Sequence, residues 1–160
     1  AVSAYLINLR IDDILATLIR QPMFAEYEHI CHSMAEQGKA LTVDSLRSSY
    51  AELQKNYFGS AVEHTEIDNL EGLRIPHFYR AFYVYKYATG ISAAITLANG
   101  VLQKNGNALE NYFSFLRSGG SRFPLESLQK AGVNLRKPDA VQHALHEFSR
   151  LVELLENCLQ

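Results

Sequence analysis

Hydrophobic positions recur with a helical period almost from the first residue of this chain. Leu6, Ile7, Ile11, Ile14, Leu15, Leu18 and Ile19 follow the i, i+3, i+4 spacing of an amphipathic helix, and the series continues past Pro22 through Met23, Tyr27, Ile30, Cys31 and Met34 to a stop at Gly38. A proline removes a backbone donor and crowds the preceding turn, so the first element is expected to be one helix bent at Pro22 or two abutting ones. Thr42 has the side chain of an N-cap, and Asp44 suits the positive end of the helix that follows. That second helix is expected over Val43 to Tyr57, with Leu46, Tyr50, Leu53 and Tyr57 on one face and Gly59 ending it. From Ser60 to Leu73 short polar and apolar pieces alternate, which predicts an irregular connector with one helical turn around Ile67 to Leu70.

The next run is the densest in chemistry. Arg74-Ile-Pro-His-Phe-Tyr-Arg-Ala-Phe-Tyr-Val-Tyr-Lys-Tyr-Ala-Thr-Gly90 brings one His and four of the chain's nine Tyr into seventeen positions. Pro76 suits a first helical turn, where a missing N–H costs nothing, so the spacing predicts helix from His77 to Ala88. On such a helix Tyr79, Tyr83 and Tyr87 form one stripe, and Phe78, Phe82 and Tyr85 form its neighbour. Aromatic stripes at this spacing are ordinarily core. Yet a buried hydroxyl without a partner costs roughly 1–3 kcal/mol, and a wet cleft would supply partners for three stacked phenols. The same helix is expected to run through Ile91, Ala93, Ala94, Ile95, Leu97 and Ala98 to about Leu102, with small residues at Gly90, Ser92, Ala93 and Ala94 marking its most buried half.

A fourth helix, Ala108 to Arg117, presents Leu109, Tyr112, Phe113 and Leu116, and Ser118-Gly-Gly-Ser121 breaks it. No strand precedes that double glycine and no Lys-Ser/Thr pair follows it, so it reads as a flexible connection and not as a phosphate cradle. Pro124 opens a short helix to Lys130 with Gly132 just past its end, and Pro138 opens the last helix, which turns Val141, Leu145, Phe148, Leu151, Val152, Leu155 and Cys158 inward. No strand-type alternation, repeat or low-complexity segment appears. The expected fold is all-α, with about six helices in a single unit over residues 1–160.

At 160 residues, 48% hydrophobic and 20% charged, the chain can bury a sizeable core. A net charge of −2, with Lys and Arg scattered, argues against nucleic acid as a partner. No window reaches the roughly 18 apolar residues of a membrane span, and the N-terminal residues lack a signal-peptide pattern, so a soluble, cytoplasmic protein without a membrane partner is expected. Cys31 and Cys158 lack metal-type spacing and read as small buried thiols. Glu26, Glu28, His29 and His32 include one i, i+4 pair, Glu28 with His32, but no two-His zinc motif. They read as solvated helix charge, as do His143, His146 and Glu147, and no metal ligand is assigned.

The string Ile75 to Gly90 resembles the signature that follows the zinc site in oligoendopeptidase F, a metallopeptidase family related to thimet oligopeptidase. Arg20-Gln-Pro-Met-Phe-Ala-Glu-Tyr-Glu28 resembles that family's preceding segment, apart from Pro22, and Leu116-Arg-Ser-Gly-Gly-Ser-Arg-Phe-Pro-Leu125 with Ala131-Gly-Val133 resembles its C-terminal end. The resemblance implies the C-terminal helical part of a longer, zincin-like oligopeptidase. Its zinc would lie on a His-Glu-x-x-His helix and a further Glu, both upstream. That motif does not occur in this sequence, so zinc belongs to the full-length protein and the chain alone is expected to hold none and to cleave nothing. The implied partners are a short peptide substrate and the N-terminal part of the same protein. The resemblance further implies His77 and Tyr85 as transition-state donors, with Tyr79 and Tyr83 as substrate contacts. A helix cannot carry Tyr83 and Tyr85 on one face, which leaves open that one of them is packing. The residues by themselves also leave open a stand-alone helical module that grips a partner peptide with the same aromatic face.

Overall fold

The computed structural model describes residues 2–160, and every regular element among them is helical. Seven α-helices follow in order: α1 Val2–Ile14, α2 Gln21–Glu36, α3 Val43–Phe58, α4 Tyr85–Leu102, α5 Ala108–Ser118, α6 Pro124–Lys130 and α7 Asp139–Leu159. Short stretches of 3-10 helix occupy Gly59–Ala61, Asp68–Leu73 and Pro76–Tyr79. The all-α expectation holds, with one more helix than anticipated.

Pro22 does not break the first element. Leu15–Arg20 adopts a π-helical turn, and α2 begins immediately after it with Pro22 in its first turn. Pro22 cannot donate to the carbonyl one turn back, and a turn of wider register accommodates that missing bond while the helical path continues. Thr42 caps α3 as expected: its hydroxyl accepts from the Ser45 N–H, and the Ser45 hydroxyl accepts from the Thr42 N–H in return. The connector holds a 3-10 stretch of six residues, Asp68–Leu73, which overlaps the expected turn around Ile67 to Leu70 and is longer than it.

The chain divides into two compact units, one spanning Ile19–Lys86 and the other combining the residues up to Leu18 with Tyr87–Gln160. In the second of these, α1 packs on α7 and α5 on α6. Ala93 of α4, Ala140 of α7 and Val133 form a buried cluster edged by Leu97, Leu128 and Leu135. The inward face of α7 differs in part from expectation: Leu151 is buried as expected, but Ala140 and Ala144 are buried with it, whereas Val141, Leu145 and Cys158 are exposed. The exposed Cys158 thiol corrects the reading of both cysteines as buried.

The unit Ile19–Lys86 is built on α2 packed against α3, with the Asp68–Leu73 turn closing over α3. Met23, Phe24, Tyr27, Tyr50, Leu53 and Val84 make its core. Tyr27 and Tyr50 meet edge to face at 5.2 Å, and Gly72 lies directly on both rings: a methyl group there would sit 2.8 Å from each. Any larger residue at this position would have to push the two rings back for the turn to close. Tyr50 donates to Glu71 Oε2 at 2.5 Å, and Glu71 is also ion-paired with Arg20. Burial first, then the bond to Glu71, pushes the Tyr50 phenol well above its ordinary value.

Candidate active site

The His/Tyr run continues from that turn, and the backbone there departs from the expected helix. Ile75 is extended, as a residue before proline prefers, and Pro76–Tyr79 makes one 3-10 turn that ends at the extended Arg80. The α-helical path resumes only at Tyr85. Aromatic and β-branched residues are weak helix formers, so the local preference over residues 78–84 is small and tertiary contacts decide. Three of them do so. Phe78 packs on Tyr27 at 5.9 Å, Val84 is fully buried in the core, and the Phe82 N–H donates to Glu28 Oε1 of α2 at 2.8 Å. The His77–Ala88 helix is thus corrected to a turn, a pinned loop and the start of α4. The stripe of Tyr79, Tyr83 and Tyr87 does not form.

Phe82 has φ +54°, a left-handed conformation unusual for a bulky residue and costing on the order of 1–3 kcal/mol. Such a conformation persists where its surroundings over-determine it. Here Glu28 holds the amide, and the His32 ring lies 4.9 Å from the Phe82 ring. Glu28 is only 3% exposed, which corrects its reading as a solvated charge. Its second oxygen, Oε2, is buried and meets no donor among the described residues.

The loop presents the sequence-assigned residues unequally. His77 is exposed and stacks on Tyr83, with centroids 6.0 Å apart and planes within 13°. Arg80 and Lys86 both lie over the Tyr83 ring, at 5.1 and 5.3 Å. Tyr85 is 48% exposed as the first residue of α4, and Tyr79 is 94% exposed. His77 and Tyr83 are therefore brought together, Tyr85 follows two residues on, and Tyr79 stands well out from the fold. Imidazole and phenol donors beside two cations make a surface suited to an oxygen that gains negative charge.

Sequence reasoning missed Glu28, Arg80 and Lys86. A signal for Glu28 was present: it lies four residues after Phe24 and beside Tyr27, on the stripe that forms the core, where a carboxylate is rare without a task. Arg80 and Lys86 carry no spacing signal of their own. Among the described residues no group of three or more His, Cys, Asp or Glu side chains could hold a metal ion. The residues present do not fit a zinc site.

Residues 4–147 match the profile of peptidase family M3. The chain is 41% identical over 156 residues to an oligoendopeptidase F homolog of Borreliella burgdorferi, covering 98% of this chain and 26% of that protein. It is 39% identical over 155 residues to oligopeptidase PepF of Bacillus subtilis, covering 97% of this chain and 23% of that protein. The crystal structure of oligoendopeptidase-F from Enterococcus faecium superposes with a TM-score of 0.94 at 40% identity, over 99% of this chain and 30% of that one. The chain thus spans about a quarter of the length of the curated relatives it matches.

Proposed function

The chain belongs to peptidase family M3, and from that premise we propose that it is the C-terminal part of a zinc-dependent oligoendopeptidase that hydrolyses short peptides. The observation that carries this reading is the family match over residues 4–147 together with a solvent-facing His77 and Tyr85 on one segment fastened to the core. In the proposed enzyme the zinc is bound by residues outside this chain and supplies Lewis acidity and an activated water. What this chain supplies is hydrogen-bond donors. The His77 N–H and the Tyr85 O–H donate to the oxygen of the scissile carbonyl as it takes on charge, and Tyr79 and Tyr83 contact the backbone or side chains of the peptide.

Both donor roles require the same thing of the fold. A donor stabilises the transition state selectively only if it is already in place when charge develops, so the segment must be held before substrate arrives. Val84 in the core and the Phe82 amide on Glu28 hold it from both sides of Tyr83. The proposed setting is the cytoplasm, consistent with two cysteines that are both free.

Steady-state kinetics of the full-length protein on a quenched fluorescent peptide tests the reading. Tyr85→Phe deletes one oxygen and keeps the ring, and it should lower kcat and kcat/KM together by about 10²–10³ with KM little changed. Wild-type turnover in that variant would remove Tyr85 from the site.

A further inference from the structure

We infer that Glu28 is the positioning residue of the catalytic loop, the carboxyl that fixes Phe82 in its left-handed conformation and through it sets where His77 and Tyr85 point. The inference rests on the peptidase reading above. Glu28 is the one acidic side chain buried in the unit Ile19–Lys86 among the described residues, and it belongs to α2, fifty-four residues away from Phe82 in sequence. Its Oε1 accepts the Phe82 N–H at 2.8 Å. A backbone N–H bonded to a carboxyl oxygen fixes the orientation of the peptide unit, and a left-handed residue reverses the chain within a single position. The peptide unit so held lies between the turn that carries His77 and the first residue of α4, Tyr85.

The surroundings give the carboxyl no competing structural task. Glu28 makes no ion pair within salt-bridge distance, its second oxygen meets no donor among the described residues, and the neighbouring His32 packs on the Phe82 ring. A core position filled only for packing would favour an apolar side chain of this size. The placement is instead that of a support for a preorganised group, which binds no substrate itself and acts through the geometry it enforces.

The test uses the full-length peptidase and a peptide substrate. Glu28→Met keeps the length and burial of the side chain but removes the acceptor, and a misplacement of this kind should lower kcat about 10–100-fold with KM and metal content nearly unchanged. Glu28→Gln keeps a carbonyl acceptor and should stay within about threefold of wild type. Phe82→Val perturbs the same geometry from the other end, since a β-branched residue resists positive φ, and it should reproduce the kcat loss even if Glu28→Met fails to fold. In a background lacking both donors, Tyr85→Phe with His77→Ala, the further loss from Glu28→Met, or from Phe82→Val in its place, should shrink below about threefold, because a support has nothing to position once both donors are gone. Undiminished losses in that background, Glu28→Gln as damaging as Glu28→Met, or wild-type turnover in Phe82→Val would each overturn the inference. Wild-type turnover in Tyr85→Phe alone would instead remove Tyr85 from the site and overturn the donor role proposed for it above.

Discussion

Gly72→Ala provides a severe test of how the unit Ile19–Lys86 is assembled. The added methyl carbon would lie 2.8 Å from Tyr27 Cε1, 2.8 Å from Tyr50 Cδ2 and 2.9 Å from Tyr27 Cζ. Carbon atoms rest at about 3.5–4.0 Å, so each ring must retreat by roughly 0.7 Å or more. Neither ring has room. Tyr27 is 2% exposed and Tyr50 is fully buried, they brace each other edge to face, and the Tyr50 hydroxyl is tied to Glu71. Overpacking of a dense core costs about 1–3 kcal/mol. The φ of Gly72 lies outside the left-handed region, so alanine there is unstrained and recovers about 0.4–1 kcal/mol from the reduced entropy of the unfolded chain. The net expectation is a destabilisation of about 1–2 kcal/mol.

Gly90→Ala is the matched control, the same chemical change in a helix where a Cβ meets nothing within 4 Å. It should stabilise by about 0.5–1 kcal/mol, since glycine inside a helix is costly. Thermal melting of both variants against wild type distinguishes the signs directly. Because Tyr27 also packs on Phe78, Gly72→Ala in the full-length protein should in addition lower the proposed peptidase turnover, by moving the turn that carries His77. A Gly72→Ala protein as stable as wild type would refute the reasoning, since it would mean that the two rings can yield without cost.

Three further outcomes are expected. The Tyr57 phenol is pushed up to about 12 by burial and by donating to Glu26, and burial raises Tyr27 and Tyr50 further. A folded pKa above the unfolded value of about 10 means stability that is fully present below pH 10 and is lost as pH climbs through 12, so denaturant midpoints should fall over that window while tyrosinate absorbance shows these phenols titrating late. His77→Ala in the full-length protein should lower kcat and kcat/KM in parallel without a drop in melting temperature, because His77 is exposed; a loss confined to KM would make it a binding residue instead. Expressed by itself, this chain should bind no stoichiometric zinc and leave peptides uncut, and elemental analysis finding about one tightly held zinc per chain would contradict that.

Helices whose signals are local could be read from the sequence almost to the residue. Thr42, Gly59 and Pro124 fixed helix ends through capping, left-handed geometry and ring constraint, and the matching ends are at Val43, Phe58 and Pro124. The Tyr50 and Leu53 face followed from periodicity for the same reason. What was not legible was the segment 80–84, where the helical spacing of Tyr79, Tyr83 and Tyr87 imitated a stripe. Its conformation is set by contacts distant in sequence, Glu28 on Phe82 and Tyr27 on Phe78, which no local pattern contains. The inward face of α7 was misjudged in a milder way: Leu151 is buried as its spacing indicates, but the helix also lays Ala140 and Ala144 against the core and leaves Val141 and Leu145 exposed.

The conflict between Tyr83 and Tyr85 disappears once the segment is not a helix. Two residues apart on a helix they would point about 200° apart, but burial here alternates, with Tyr83 half-buried, Val84 fully buried and Tyr85 48% exposed. Drawing Val84 into the core turns both of its neighbours outward, so a packing residue in the middle is what makes two phenols available at once. The same logic accounts for the strain at Phe82. A relaxed helix through residues 77–88 would satisfy its interior backbone groups locally and would point the two phenols to nearly opposite sides. The chain instead takes a left-handed residue and a buried carboxyl, a local cost that places His77, Tyr83 and Tyr85 on one solvent-facing segment. Every residue given a role in the proposal, from Glu28 to Tyr85, lies within Ile19–Lys86, so the geometry proposed for the donors would be set inside that unit by its own core.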